Sequence, residues 1–261
     1  MNAEYDTAIA SLGNYGVFVR RVTGLGQVTI AGTGIAANDI WPNGGLYPWM
    51  TGLTTLEVVS SSANDSVAGT GARTVTISGL DATYTEISST VTMNGTTAVV
   101  IPIQFLRVNS ISIASNGTSR RNEGTITVRD SPGGTARSII PIASVADLTP
   151  AISKQAQYTV PANHTLLIYD IDIQINSSAG GGGQSKGADV LFYFASSNTS
   201  LPIRLPRALT CTDIGNGKSL DPKTQVPVLE KTDFGLRASY TSAAGVILSG
   251  SWEGLLFRRT A

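Results

Sequence analysis

From Leu53 to the C-terminus, apolar residues recur at every second position in one short run after another, and a long helical period never appears. Successive side chains of a strand point to opposite faces, so this alternation belongs to strands with one buried side. The clearest run is Leu167-Ile-Tyr-Asp-Ile-Asp-Ile-Gln-Ile175. It places Leu167, Tyr169, Ile171, Ile173 and Ile175 toward a core and Asp170, Asp172 and Gln174 toward water. Further runs are Thr54–Ser60, Thr74–Ser78, Tyr84–Met93, Val99–Ile113, Thr125–Arg129, Ser138–Ile142, Ala188–Ala195, Leu201–Arg207, Val226–Glu230, Leu236–Tyr240, Val246–Trp252 and Leu255–Arg258. Turn signals separate them: Asn94-Gly95, which predicts a type I′ hairpin, then Asn116-Gly117, Ser131-Pro-Gly-Gly134 and the glycine tip at 177–183. Many short strands at short intervals predict an all-β fold, a β-sandwich of the jelly-roll kind. It spans residues 51–261, with two sub-sheets meeting near residue 150.

Residues 1–50 read differently. Thr7–Leu12 predicts a turn or two of helix and Gly16–Val22 a strand, after which Gly24, Gly26, Gly32 and Gly34 punctuate the chain. Trp41, Tyr47 and Trp49 then crowd into a loop-like stretch with Pro42, Gly44, Gly45 and Pro48. Two readings follow. The aromatics plug one end of the sandwich, or they lie on an irregular N-terminal arm and anchor it to a neighbouring subunit, since Trp and Tyr dominate interface hot spots.

The glycines of Ala68-Gly-Thr-Gly-Ala72 raise a different question, whether they cradle a phosphate. A cradle needs a helix next, whose N-terminal N–H groups hold the anion. Here Arg73-Thr-Val-Thr-Ile-Ser78 follows, a strand pattern, and the lysine of a nucleotide loop is missing. Gly69 and Gly71 therefore read as a bend, placed where the backbone requires positive φ.

The balance of charge narrows the partners. Eighteen basic and eighteen acidic residues cancel, and only 14% of the chain is charged, against roughly 25% in typical globular proteins. Nothing draws a nucleic acid electrostatically. No basic amphipathic stretch or apolar run of membrane-spanning length suggests a membrane. Near-zero net charge permits close packing of many copies. The first residues lack the pattern of a secretion signal, so synthesis in a cytoplasm is expected. The Asn-x-Ser/Thr triplets beginning at Asn64, Asn94, Asn116, Asn163, Asn176 and Asn198 then follow from composition and are not glycan sites.

Candidates for chemistry are few. His164 and Cys211 are the single histidine and the single cysteine, which leaves no disulfide within the chain and no metal site of Cys/His type. His164 sits in a polar turn that brings it no acidic neighbour. Asp170 and Asp172 share a strand face at about 7 Å from strand rise, near a glycosidase spacing, yet a solvated face explains them as well. No catalytic residue, metal or cofactor is expected.

"SSSANDSVAGTGARTVTISGLD" and "YTEISSTVTMNGTTAVV", with "QFLRVNSISIASNG", "GTITV", "YTVPANHTLLIYDIDIQINSS" and "VPVLEKTDFGLRASYTSAAGVILSGSWEGLLF", resemble sequence found in virion structural proteins of tailed bacteriophages, including marine phages and cyanophages. The resemblance runs from Leu53 to Phe257. It implies a non-enzymatic, β-rich particle component in several copies. That component would be made in the host cytoplasm and reside in the virion, tail-associated or fibre-like. Its partners would be itself, as a homo-oligomer that includes a trimer among its options, and other proteins of head or tail. A capsid decoration or head-fibre protein is the first alternative. A carbohydrate-binding receptor-recognition module, with Trp252 and Tyr240 as its stacking platform, is the second.

Overall fold

The computed structural model describes residues 19–34, 37–142, 151–177, 188–196, 202–211, 218–220, 226–241 and 245–258. Every regular element among them is a strand, as the alternation requires. The helix expected at Thr7–Leu12 lies outside the described residues. In chain order the strands are β1 (Val19–Ile30), β2 (Asn38–Asp39), β3 (Thr54–Ser60), β4 (Ala72–Leu80), β5 (Glu86–Thr92), β6 (Val99–Phe105), β7 (Arg107–Asn116), β8 (Ile126–Asp130) and β9 (Ala136–Ile140). They continue as β10 (Tyr158–Thr159), β11 (His164–Ser177), β12 (Ala188–Ser196), β13 (Pro202–Cys211), β14 (Lys218–Leu220), β15 (Val226–Val228), β16 (Thr232–Thr241) and β17 (Val246–Arg258).

These strands make four antiparallel sheets in two pairs. The sheet β1-β17-β11-β14, with β15 also on β11, shares one core with β10-β16-β12-β13, to which β2 is added on β16. Val28, Leu166, Ile173, Phe234, Leu248 and Trp252 belong to that core. The sheets β6-β3-β8-β9 and β5-β4-β7 enclose a second core with Leu56, Val75, Ile77, Phe105, Ile111 and Val128. The second unit is therefore one continuous stretch of chain, and the first is assembled from the segments on either side of it.

Residues 19–50 belong to this frame and are not an arm beside it. β1 pairs with β17 from Val19 opposite Phe257 to Ile30 opposite Val246. The strand expected at Gly16–Val22 runs on to Ile30, a continuation that glycine hid from sequence reading because Gly24 looks like punctuation. It sits inside β1 because a side chain there has no room: a Cβ would stand 2.2 Å from Nε1 of Trp252. Trp252 lies across that gap and donates Nε1–H to the Ala156 carbonyl at 3.1 Å. A glycine within a strand often marks such a close approach.

β11 departs from the expected alternation. Leu166 and Ile168 face the core, then Ile171, Ile173 and Ile175 do, while Leu167 and Tyr169 are only half-buried. The register against β17 slips between Ile168 and Asp170. This β-bulge leaves Tyr169 as the extra residue and reverses the faces before it. Asn94-Gly95 is likewise not a hairpin. β5 and β6 lie in different sheets, and the turn carries the chain across the core between them, with Gly95 at φ 60°. The run Val99–Ile113 also splits, into β6 and β7, with the change of sheet at Leu106.

Candidate functional site at the junction of the two units

The bend at residues 60–72 is built around a carboxylate. Asp65 is fully buried. It accepts hydrogen bonds from the Ser60 hydroxyl at 2.5 Å and from the backbone N–H groups of Ala72, Glu123 and Gly124 at 2.8, 2.9 and 2.9 Å. Neither Gly69 nor Gly71 has positive φ, so the reason expected for them is replaced by another. A Cβ on Gly71 would stand 2.1 Å from Oδ1 of Asp65. The Gly69 and Gly71 N–H groups donate to the Ser66 and Asn64 carbonyls and the Ala72 N–H to Asp65, so the donors a phosphate would need are taken by the chain itself.

Further buried charges cluster where the two units meet. Arg107 opens β7 in the second unit, and Asp233 lies on β16 in the first. The guanidinium donates Nε–H and Nη2–H to the two carboxylate oxygens, both at 2.9 Å. Arg107 is 6% exposed and Asp233 3%. Nη1 donates to the carbonyls of Met50 and Leu106 at 2.5 and 2.9 Å, and Thr159 donates its hydroxyl to Asp233 at 2.6 Å. Burial pulls the guanidinium's pKa down, but the hydrogen bonds and charge of Asp233 outweigh this and hold it above its ordinary value. The guanidinium stays charged, and a bidentate fork of this kind fixes orientation as well as distance.

A second fork stands close by in the chain's order. Asp39, fully buried, accepts from Nε and Nη2 of Arg237 at 2.5 and 3.1 Å, from the Tyr193 hydroxyl at 3.2 Å and from the Tyr47 N–H at 2.6 Å. Arg237 also lies over the Tyr193 ring, 4.2 Å from its centroid. A third fork joins Arg137 to Asp130 at 2.7 and 2.5 Å, and the same arginine donates to the Pro48 carbonyl.

Trp41, Tyr47 and Trp49 sit among these charges. Their rings meet edge to face, Trp41–Tyr47 at 5.1 Å and Tyr47–Trp49 at 4.8 Å. Trp41 and Tyr47 are 1% and 6% exposed. Tyr47 donates its hydroxyl to the Arg137 carbonyl at 2.7 Å, and burial pushes its phenol far above the usual tyrosine range. Trp49 is half-buried, with the Arg107 guanidinium 5.8 Å from its ring centroid. The trio therefore packs inside its own chain, as a plug between the units, and the docking-arm reading has no exposed anchor in Trp41 or Tyr47.

Between the units lies a cleft of about 490 Å3, lined by Arg20, Arg21, Glu86, Asn109, Ser110 and Tyr158 among others. Arg20 pairs with Glu86 across it, and Arg21 pairs with Glu253 at 2.5 Å. A smaller hollow of about 350 Å3 adjoins Glu86 and is lined by Asn163, His164 and Arg258. His164 holds the Ala162 carbonyl at 2.7 Å through Nδ1. Its strand β11 belongs to one sheet of the first unit, and Cys211 ends β13 in the other. Asp170 and Asp172 alternate with the buried Ile171 and Ile173 on the outward side of β11. Trp252, one half of the suggested sugar platform, is 1% exposed, while Tyr240 is 41% exposed. Among the described residues, no group of three or more His, Cys, Asp or Glu side chains could hold a metal ion.

The buried forks were missed by sequence reading, although a signal for them exists. In a chain this poor in charge, "QFLRVNS" sets Arg107 between Leu106 and Val108, and "TDFG" sets Asp233 directly before Phe234. A charge placed there is either paired or very costly.

No family model matches the chain, and no curated protein matches it. Among solved structures, the chain aligns with T=1 particles derived from infectious bursal virus, at 11% identity, over 94% of this chain and 74% of the other, with a TM-score of 0.22. Infectious bursal disease virus strain Gx aligns at 10% identity, over 94% and 77%, with a TM-score of 0.21. The VP2 subviral particle of that virus gives 12% identity, 94% and 77%, and a TM-score of 0.21. Scores of this size do not establish a shared fold.

Proposed function

We propose that this chain is a non-enzymatic structural protein of a tailed-phage particle, present in several copies and tail-associated or fibre-like. The observation that carries the reading is where the chain spends its scarce charges. Arg107–Asp233 ties the second unit to the first, and Arg137 ties the 47–48 segment to β8 and β9. A catalytic or ligand-binding protein concentrates polar groups in an accessible pocket, whereas here the best-formed polar constellations are buried and join β-sheets. A two-unit frame of this kind, with two sheets sandwiching each core, suits a part that must keep its shape outside a cell. The sequence resemblance supports the same role.

The test is direct. Purified particles are analysed by mass spectrometry, and antibody-gold against the chain is imaged on them. Stoichiometric protein with label on the tail is expected. Absence from purified particles overturns the reading, and label confined to the head replaces tail with capsid decoration.

A further inference from the structure

Open strand edges invite pairing with other chains, and proteins usually blunt them with proline, charge, bulges, brevity or a covering segment. Most edges of this frame are treated in that way. β6 carries Pro102, β13 carries Pro202 and Pro206, and β15 carries Pro227. The free side of β7 is covered by residues 151–153, through Ile113 N–H to the Ala151 carbonyl and Ser153 N–H to the Ile111 carbonyl. β10 and β2 are two residues long.

Among the described residues β5 has no proline, bulge or covering segment, and its one charge, Glu86 at its first position, is paired with Arg20 of β1. It is an edge strand of seven residues, Glu86-Ile-Ser-Ser-Thr-Val-Thr92, without proline, lysine or arginine. Its register on β4 runs from Thr74–Thr92 to Leu80–Glu86 without a shift, whereas β4 on β7 shifts three times. The parity of its hydrogen bonds is set from both ends. Met93 N–H reaches the Arg73 carbonyl, and Asp81 N–H reaches the Thr85 carbonyl. In an antiparallel ladder, paired and unpaired positions alternate. Residues 87, 89 and 91 therefore aim their backbone groups at β4. Glu86, Ser88, Thr90 and Thr92 aim theirs outward, and among the described residues no backbone partner beyond β4 meets them.

The strand is also complementary to itself. An antiparallel two-fold centred on Ser89 sets Ser88 against Thr90 of a second copy and Glu86 against Thr92. The four outward-facing residues thereby become the hydrogen-bonded pairs. Ile87 falls opposite Val91 on the inner face, Ser89 opposite Ser89, and no two like charges face each other. The outer face matches too. Ser78, Thr76 and Thr74 on β4 stand beside Ser88, Thr90 and Thr92, so the hydroxyl-covered surface continues across the join.

We propose that β5 is a self-association edge, pairing with β5 of a second copy about a two-fold at Ser89 to make one sheet ordered β7-β4-β5-β5-β4-β7. This deepens the multi-copy part of the functional reading and is independent of where in a particle the protein sits. A chain found in particles that is monomeric in solution would lose this contact and keep that role.

The full chain is examined by sedimentation velocity and light scattering over a range of concentrations, with dimer expected. Thr90→Pro removes an outward N–H and leaves the bonds to β4, and it should raise the concentration for half-dimerisation about tenfold or more. A second arm does not depend on that variant folding. In a Cys211→Ser background, Ser89→Cys should form a covalent dimer on mild oxidation, since directly opposed unpaired positions lie about 4.5 Å apart at Cα. Ser115→Cys, on β7 at the far side of the same sheet, should not. A chain that stays monomeric at all concentrations, or cross-links equally at residues 89 and 115, overturns the proposal.

Discussion

The two β units close their cores in opposite ways. In the unit spanning β3 to β9, every strand takes its strand partners from that one stretch of chain, with residues 151–154 added along β7 and β9, and Phe105 is the one aromatic of its core among the described residues. The other unit joins the chain's two ends, with Val19 opposite Phe257, around a cluster of Tyr158, Phe192, Phe234 and Trp252. Local pairing keeps loop closure short, whereas the distant pairing of β1 with β17 encloses the whole second unit in its loop. The second unit can therefore be cut free of the first, while the first cannot lose either β1 or β17.

The largest expected effect breaks that asymmetry open. Removing residues 1–50 takes away the partner that runs along the whole outer side of β17 and uncovers Trp252. The remaining chain should lose the near-ultraviolet circular dichroism of the aromatic cluster yet keep the β-sheet signal of residues 54–140. A truncated chain that keeps both signals would show that β1 is dispensable to the first unit.

Next come the two buried carboxylates, one within a unit and one between units. Asp65→Ala strips the acceptor from three backbone N–H groups and a hydroxyl, and should cost about 4 kcal/mol of the second unit's stability in urea unfolding. Asp65→Asn should cost about half of that, since one oxygen is kept. Arg107→Met leaves Asp233 buried and unpaired, at about 3 kcal/mol. Adding Asp233→Leu should restore much of this loss, because two apolar groups remove the stranded charge. If the single and double changes cost the same, the fork does not hold the units together.

Gly24→Ala is smaller. The added Cβ must displace the Trp252 indole, which overpacks the first core by about 2 kcal/mol. Trp252 fluorescence should shift while the second unit stays unchanged. An unaltered emission maximum would mean that the indole does not rest on Gly24.

These contrasts also explain what could be read from the sequence. Strands were legible in both units, Thr54–Ser60 and Thr74–Ser78 in the second and Ala188–Ala195 and Val246–Trp252 in the first, but the sheets they join were not, as Asn94-Gly95 shows. The first unit hid more. Gly24 makes a central stretch of β1 look like loop, and the bulge at Tyr169 reverses the faces of β11, which strict alternation cannot reveal. Trp41 and Tyr47 were recognisable as anchors, but whether an aromatic anchors its own chain or another depends on what packs over it. The forks were harder still, since Arg107 and Asp233 are 126 residues apart.

The smallest effect separates the units by acid. Glu57, on β3, is buried, and burial alone would raise its pKa. The Gly133 N–H and the Arg129 guanidinium, at 2.9 and 2.7 Å, outweigh this and hold the carboxyl below its ordinary value. Asp81 is held low as well, chiefly by the Thr83 hydroxyl at 2.7 Å. A carboxyl whose folded pKa lies below its unfolded one adds stability that is complete above the ordinary carboxylate value of about 4. That stability fades as pH falls through the ordinary value toward the folded one. Both groups belong to the second unit, so its urea midpoint should drop between about pH 5 and pH 3. Glu57→Gln should flatten that slope, and should itself lower the midpoint near neutral pH because the Arg129 partner loses its counter-charge. If the slope is unchanged in Glu57→Gln, the acid sensitivity of the second unit comes from elsewhere, and Glu57 serves only to shape the turn at Gly133.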